Sequence, residues 1–177
     1  MRNHTLPQYD LEELAHTMIA LLDGWEDKRV GWLKLQNLLL EGRPLSPARI
    51  AESLHLTQEE VADLIKGAEL DQNGNVVGFG LSLVPTPHVY QMDGRQYYVW
   101  CAADAITFPL LHKRAAVIES PDPISGEQIR LTSTPEDVAR HRDARHPGLV
   151  VVPIEQVFQI GQLMWNREPY QSIIAAL

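Results

Sequence analysis

Apolar positions in the first part of the chain recur with a helical period. Leu11, Leu14, Ala15, Met18, Ile19 and Leu22 form one apolar stripe, which predicts an amphipathic helix ended near Asp23-Gly24. Trp32, Leu33, Leu35, Gln36, Leu38, Leu39 and Leu40 predict a second helix, ended at Gly42. Ser46 before Pro47 marks the start of a short helix over residues 49–54. Thr57-Gln58-Glu59-Glu60 is a capping box, and Val61, Leu64, Ile65 and Ala68 line one face of the helix that follows it. Helix, turn and capped helix at this spacing read as a helix-turn-helix.

Beyond the turn at Asp71-Gln72-Asn73-Gly74 the period shortens and strands are expected. Residues 76–84 read as one strand, broken by Pro85 and Pro87. Residues 89–92 and 96–100 flank Asp93-Gly94, a strong two-residue hairpin signal. A helix-turn-helix followed by a hairpin is the outline of a winged helix. Strands are then expected at 115–119 and 128–132 around a proline-marked turn. A short helix is expected to open at Thr134-Pro135-Glu136-Asp137, followed by a polar, basic stretch at 140–146, a buried strand at 149–152 and a closing helix at 154–166. The predicted class is α+β. A helical, winged-helix-like part (1–84) precedes a small mixed sheet with helices (85–177), packed as one unit because Pro85-Thr86-Pro87 is too short for a free linker.

Composition narrows the function classes. The chain has 177 residues, enough to bury a real core, and a net charge of −8, which disfavours nonspecific attraction to nucleic acid. Residues 1–70 hold seven Lys and Arg against twelve Asp and Glu, and the helix from Gln58 carries Glu59, Glu60 and Asp63. A DNA-reading helix would offer the opposite charge, so DNA is not an expected partner. No apolar run approaches the roughly 18–20 residues that span a bilayer. Residues 1–5 lack the pattern of a secretory signal. A single cysteine forms no internal disulfide. A cytoplasmic protein acting on a small molecule is expected; the oligomeric state is not legible.

The chemistry concentrates in residues 97–109. A strand at 97–100 is expected to run straight into a helix at 102–111, which places Cys101, the one cysteine of the chain, at a helix N-terminus. Unpaired N–H groups and the helix dipole there favour an anion, so a thiolate is expected. Asp104 follows three residues later, on the same side of the helix. The competing reading takes Cys101 as a small buried hydrophobe and Asp104 as a dipole partner.

The run Trp100-Cys101-Ala102-Ala103-Asp104, with Phe108-Pro109 after it, resembles the first active-site motif of the alkylmercury (organomercurial) lyases. Residues 71–81 resemble the family's stretch before the site, and residues 148–161 its last strand and helix. The resemblance spans about 45–161 with one gap. It implies Cys101 as nucleophile and mercury ligand, and Asp104 as proton shuttle and second metal donor. Trp100 and Phe108 would line the substrate pocket. No cofactor is implied; mercury enters with the substrate.

The family mechanism uses two cysteine thiolates, soft donors suited to a soft cation. The second lies on a segment between the middle strands and the last strand, where this chain is short and has no cysteine. His141 and His146 are candidates by position for a further donor; His88 and His112 have no better case. Three readings stand: carbon–mercury protonolysis at Cys101 and Asp104, the same fold turned to another reaction such as a biosynthetic step, or a nonenzymatic thiol-dependent metal-binding or regulatory protein.

Overall fold

The structure, a computed structural model, describes residues 26–121, 126–135 and 138–140. The expected helices at 11–22 and 154–166, the strand at 149–152, and His141 and His146 lie outside the described residues. Within them the order is α1 (Glu26–Leu39), α2 (Pro47–Leu54), α3 (Gln58–Leu64), β1 (Glu69–Leu70), β2 (Val76–Phe79), β3 (Leu81–Ser82), β4 (His88–Met92) and β5 (Arg95–Val99). Then follow α4 (Ala102–His112), β6 (Ala116–Pro121), β7 (Gln128–Ser133) and β8 (Val138–Arg140).

The local signals that define the helical part act as their chemistry predicts. Ser46 accepts from Arg49 N and Pro47 opens α2. Thr57 and Glu60 close their capping box reciprocally at the head of α3. Asp71 accepts from the backbone of Asn73 and Asn75, tying the turn before β2.

The described strands form one antiparallel sheet in the order β1-β2-β3-β5-β4-β6-β7-β8. The α+β class holds, with a larger sheet than expected. The β4–β5 hairpin closes through Asp93 and Gly94, both at positive φ (51° and 73°), in the manner of a type I′ turn. This hairpin lies between β3 and β6, at the centre of the sheet, and does not project as a wing. Its alternating burial explains the placement: Tyr90, Met92, Tyr97 and Val99 are all buried and need cover from strands and helices.

Two local expectations are corrected. Residues 76–84 are not one strand: the chain folds back at Gly80 (φ 80°), and β2 pairs with β3. Both arms are fully buried, and the four residues at the reversal, 78–81, include no polar side chain to mark it; Ser82 beyond them is itself buried. Where a short helix is expected to open, Thr134 and Pro135 are not helical and the chain is in strand at Val138–Arg140. β8 pairs with β7, with Ser133 opposite Val138. Pro135 suits the second position of a turn as well as the first turn of a helix.

Helix α4 packs on the sheet face that carries Tyr90 and Ile118. It contains Pro109, which removes a helical hydrogen bond at a cost of about 3 kcal/mol. Ile106, Phe108 and Leu111 are buried along the same helix, each worth about 1.5–3 kcal/mol. Packing therefore outweighs the proline and holds the helix in place.

Candidate active site

β5 ends at Val99, and Trp100 N–H donates to Gly80 O at 2.9 Å. This bond fixes the exit of the strand one residue before Cys101. Cys101 is the N-cap of α4, with extended backbone (φ −144°, ψ 166°) and a sulfur that accepts from Asp104 N–H at 3.4 Å. The Asp104 carboxyl lies on the same side, near enough to the Cys101 N–H and thiol for both to favour its charged form. Cys101 and Asp104 thus occupy the two positions of a capping box, with cysteine where serine or threonine is usual. Sulfur is a weak acceptor and a poor cap. Capping alone does not explain a cysteine at this position, and its thiol remains exposed.

The electrostatics correct the expectation of a thiolate. Desolvation, and next the Asp104 carboxylate, push the Cys101 thiol above its ordinary value. The N–H bonds from Asp104 and Ala103 oppose this and lose. Desolvation also raises Asp104, against the Cys101 hydrogen bonds and the field of His88. Both groups therefore hold protons more tightly than free side chains do. A carboxyl raised in this way is a better proton donor near neutral pH.

His88, given no special standing by the sequence, belongs to this neighbourhood. It lies opposite Val99 in the sheet register, two residues before Cys101, and interacts electrostatically with Asp104. Its Nδ1 lies 3.0 Å from Ser120 Oγ on β6, and desolvation lowers its basicity. The inward phase of β4 (His88, Tyr90, Met92) was the available signal; without the register it names no partner.

Trp100 is 43% exposed beside Cys101, its ring 6.1 Å from that of Phe79, a position suited to meeting a ligand. Phe108 is not brought to that surface. It is 2% exposed, with its ring 6.0 Å from Trp32 and 5.6 Å from His112. Two turns along α4 from Cys101, it faces the core and supports the site from beneath. His112 lies at the opposite end of the helix. Among the described residues no three His, Cys, Asp or Glu side chains are grouped to hold a metal.

Helices on an antiparallel sheet, with a thiol–carboxyl pair at the head of the helix after the central hairpin, define the class of this protein as an α+β thiol–acid protein. The comparisons give the family. Residues 81–155 match MerB, alkylmercury lyase. An alkylmercury lyase of Staphylococcus epidermidis is 31% identical over 200 aligned positions, covering 89% of this chain and 93% of the relative. One of Pseudomonas putida is 30% identical over 176 positions, covering 77% and 83%. The solved structure of the mercury-bound form of MerB2 has the same fold, with a TM-score of 0.67 at 15% identity over 94% of this chain and all of that one. The chain belongs to the alkylmercury lyase family. The first alignment, at 200 positions, is longer than this 177-residue chain, so that relative carries inserted residues that this chain lacks.

Proposed function

We propose that this protein is an enzyme that cleaves a carbon–mercury bond by protonolysis at Cys101 and Asp104. The observation that carries the reading is the contact of the two residues, with Asp104 N–H on the Cys101 sulfur at 3.4 Å and the carboxyl raised by desolvation. An organomercurial cation meets the exposed Cys101 sulfur, and a sulfur–mercury bond replaces the S–H bond. The displaced proton passes to the adjacent Asp104 carboxylate. Sulfur donation makes the mercury-bound carbon more basic, and Asp104 delivers the proton to it. The carbon–mercury bond breaks, its electron pair takes the proton, and the hydrocarbon leaves. Mercury(II) stays on the Cys101 sulfur beside the Asp104 carboxylate. An external thiol supplies the second soft donor that this sequence lacks and carries the metal away. Trp100 offers the organic group an apolar wall.

The test is benzene release from phenylmercury in excess thiol. Wild type is expected to turn over. Cys101→Ser and Asp104→Ala are each expected to lose at least about 100-fold, the scale of one positioned acid–base group. Full activity in Cys101→Ser would place the site elsewhere. One observation favours a second reading, a thiol site turned to another substrate or to metal binding: the sequence holds a single cysteine. That reading expects phenylmercury bound through Cys101 with no benzene formed.

A further inference from the structure

We propose that Gln36, on α1, is a positioning residue for the Cys101 site, acting through the reversal at Gly80. The inference rests on the proposed function for its catalytic readout but not for its structural one.

The reversal creates a problem that the sheet does not solve. Because β2 turns back on β3 at Gly80, the carbonyl of Phe79 is met by two side chains from α1. Buried carbonyls need such partners. Gln36 Nε2 donates to Phe79 O at 2.9 Å, and Trp32 Nε1 donates to the same oxygen at 3.2 Å. Gln36 is itself fully buried, at 0% exposure, which is costly for an amide with no partners. Its Oε1 is met by His112 Nε2 at 3.2 Å, from the far end of α4. Donation to Phe79 O fixes the amide orientation, so Oε1 is an acceptor and His112 Nε2 carries the proton.

Space at the reversal is as restricted as its hydrogen bonding. A Cβ on Gly80 would stand 3.0 Å from Gln36 Nε2 and 3.0 Å from the Phe108 ring. Gly80 is thus seated between Gln36 and α4, and its own carbonyl receives Trp100 N–H at 2.9 Å. The line of contact runs from Gln36 to the Phe79–Gly80 peptide, then to Trp100, then to Cys101. Releasing Gln36 frees the backbone that sets the Trp100 ring and the Cys101 sulfur. A shift of about 1 Å at a reacting group can cost 100-fold in rate without unfolding anything.

The experiment uses the full chain with Gln36→Met, which keeps volume and burial, and Trp32→Phe, which removes the other donor to Phe79 O. Cys101 is the single cysteine, so iodoacetamide reads its placement at fixed pH with no mercury present. Gln36→Met is expected to change the alkylation rate by at least about 3-fold and to lower kcat for phenylmercury by about 10–100-fold. Trp32→Phe is expected to shift both in the same direction by less. If Gln36→Met does not fold, Trp32→Phe decides by the same readouts. A lowered Tm with wild-type alkylation and kcat would make Gln36 merely structural and overturn the proposal. If wild type releases no benzene, the proposed function fails, and alkylation still decides on Gln36: an unchanged rate sinks it, a changed one sustains it.

Discussion

The two ends of α4 solve opposite problems. At the N-terminal end, Cys101 is a weak cap with an exposed thiol, and Asp104 is a carboxyl held in a site that disfavours its charge. At the C-terminal end, His112 is kept neutral, with its pKa lowered to about 4 by desolvation and then by Arg114, and it is spent on one hydrogen bond to a buried glutamine. Desolvation perturbs the titration of both ends. At the N-terminal end the thiol is exposed and the carboxyl has a proton to give. A perturbed group marks a reactive site when its proton is free to move to a ligand; the Nε2 proton of His112 is held by Gln36, and the residue serves as an anchor. Gly80 connects the two ends, since its carbonyl holds Trp100 and a Cβ at its position would press on Gln36 and Phe108.

The most severe way to break the comparison is therefore Gly80→Ala. The substitution strains a backbone at φ 80° and drives a methyl to 3.0 Å from two buried groups. The expected loss is about 2–4 kcal/mol in urea unfolding, from backbone strain and overpacking together. Phenylmercury turnover is expected to fall at a temperature where the variant is still folded. A variant with full stability would mean that the reversal is not tightly seated, and the two ends would be independent.

The next test addresses the buried end alone. The folded pKa of His112 lies below its ordinary 6.5, so the unfolded chain binds more protons between pH 6.5 and about 4. Stability is then lost as pH falls through that window, by up to about 3 kcal/mol at the acid side. His112→Phe is expected to flatten this part of the profile while adding a pH-independent loss for the unpaired Gln36 oxygen. Stability measured by urea unfolding from pH 7 to 4 gives the slope. Identical slopes for wild type and variant would show that His112 is not held neutral by the fold.

How much of this was legible beforehand follows from the range of each interaction. Capping residues, the Asp93-Gly94 turn and the Cys101–Asp104 spacing act within a few residues, and the sequence displays them directly. The Gly80 reversal lies in a buried run whose one polar residue, Ser82, comes after the turn and is buried with it. The coupling of His88 to Asp104 and of Gln36 to Phe79 O depends on sheet register and helix docking, which no local pattern encodes. The thiolate expectation failed for a related reason. A helix N-terminus lowers a thiol pKa, but desolvation and a carboxylate brought beside it by the same helix raise it further. Phe108 belongs to the motif and yet faces the core, so membership of a motif did not separate contact with a ligand from support of the site.

The smallest effect sharpens the comparison from the reactive end. The folded pKa of Asp104 is raised, so its contribution to stability is complete below the unfolded value of 3.8 and is lost as pH rises through the folded one. At pH 8 the carboxylate is charged in a site that desolvates it, and it also repels any thiolate at Cys101. Asp104→Asn removes the charge and keeps an oxygen that can accept from Cys101 N–H. The variant is expected to melt a few degrees above wild type at pH 8, with the gain shrinking toward pH 4, and to release no benzene. Higher stability with lost activity is the signature of a group kept for chemistry at a cost to the fold. A lower Tm at pH 8 would reverse the assignment. Asp104 would then be chiefly the partner of a capping box, and the N-terminal end of α4 would be an anchor like the other.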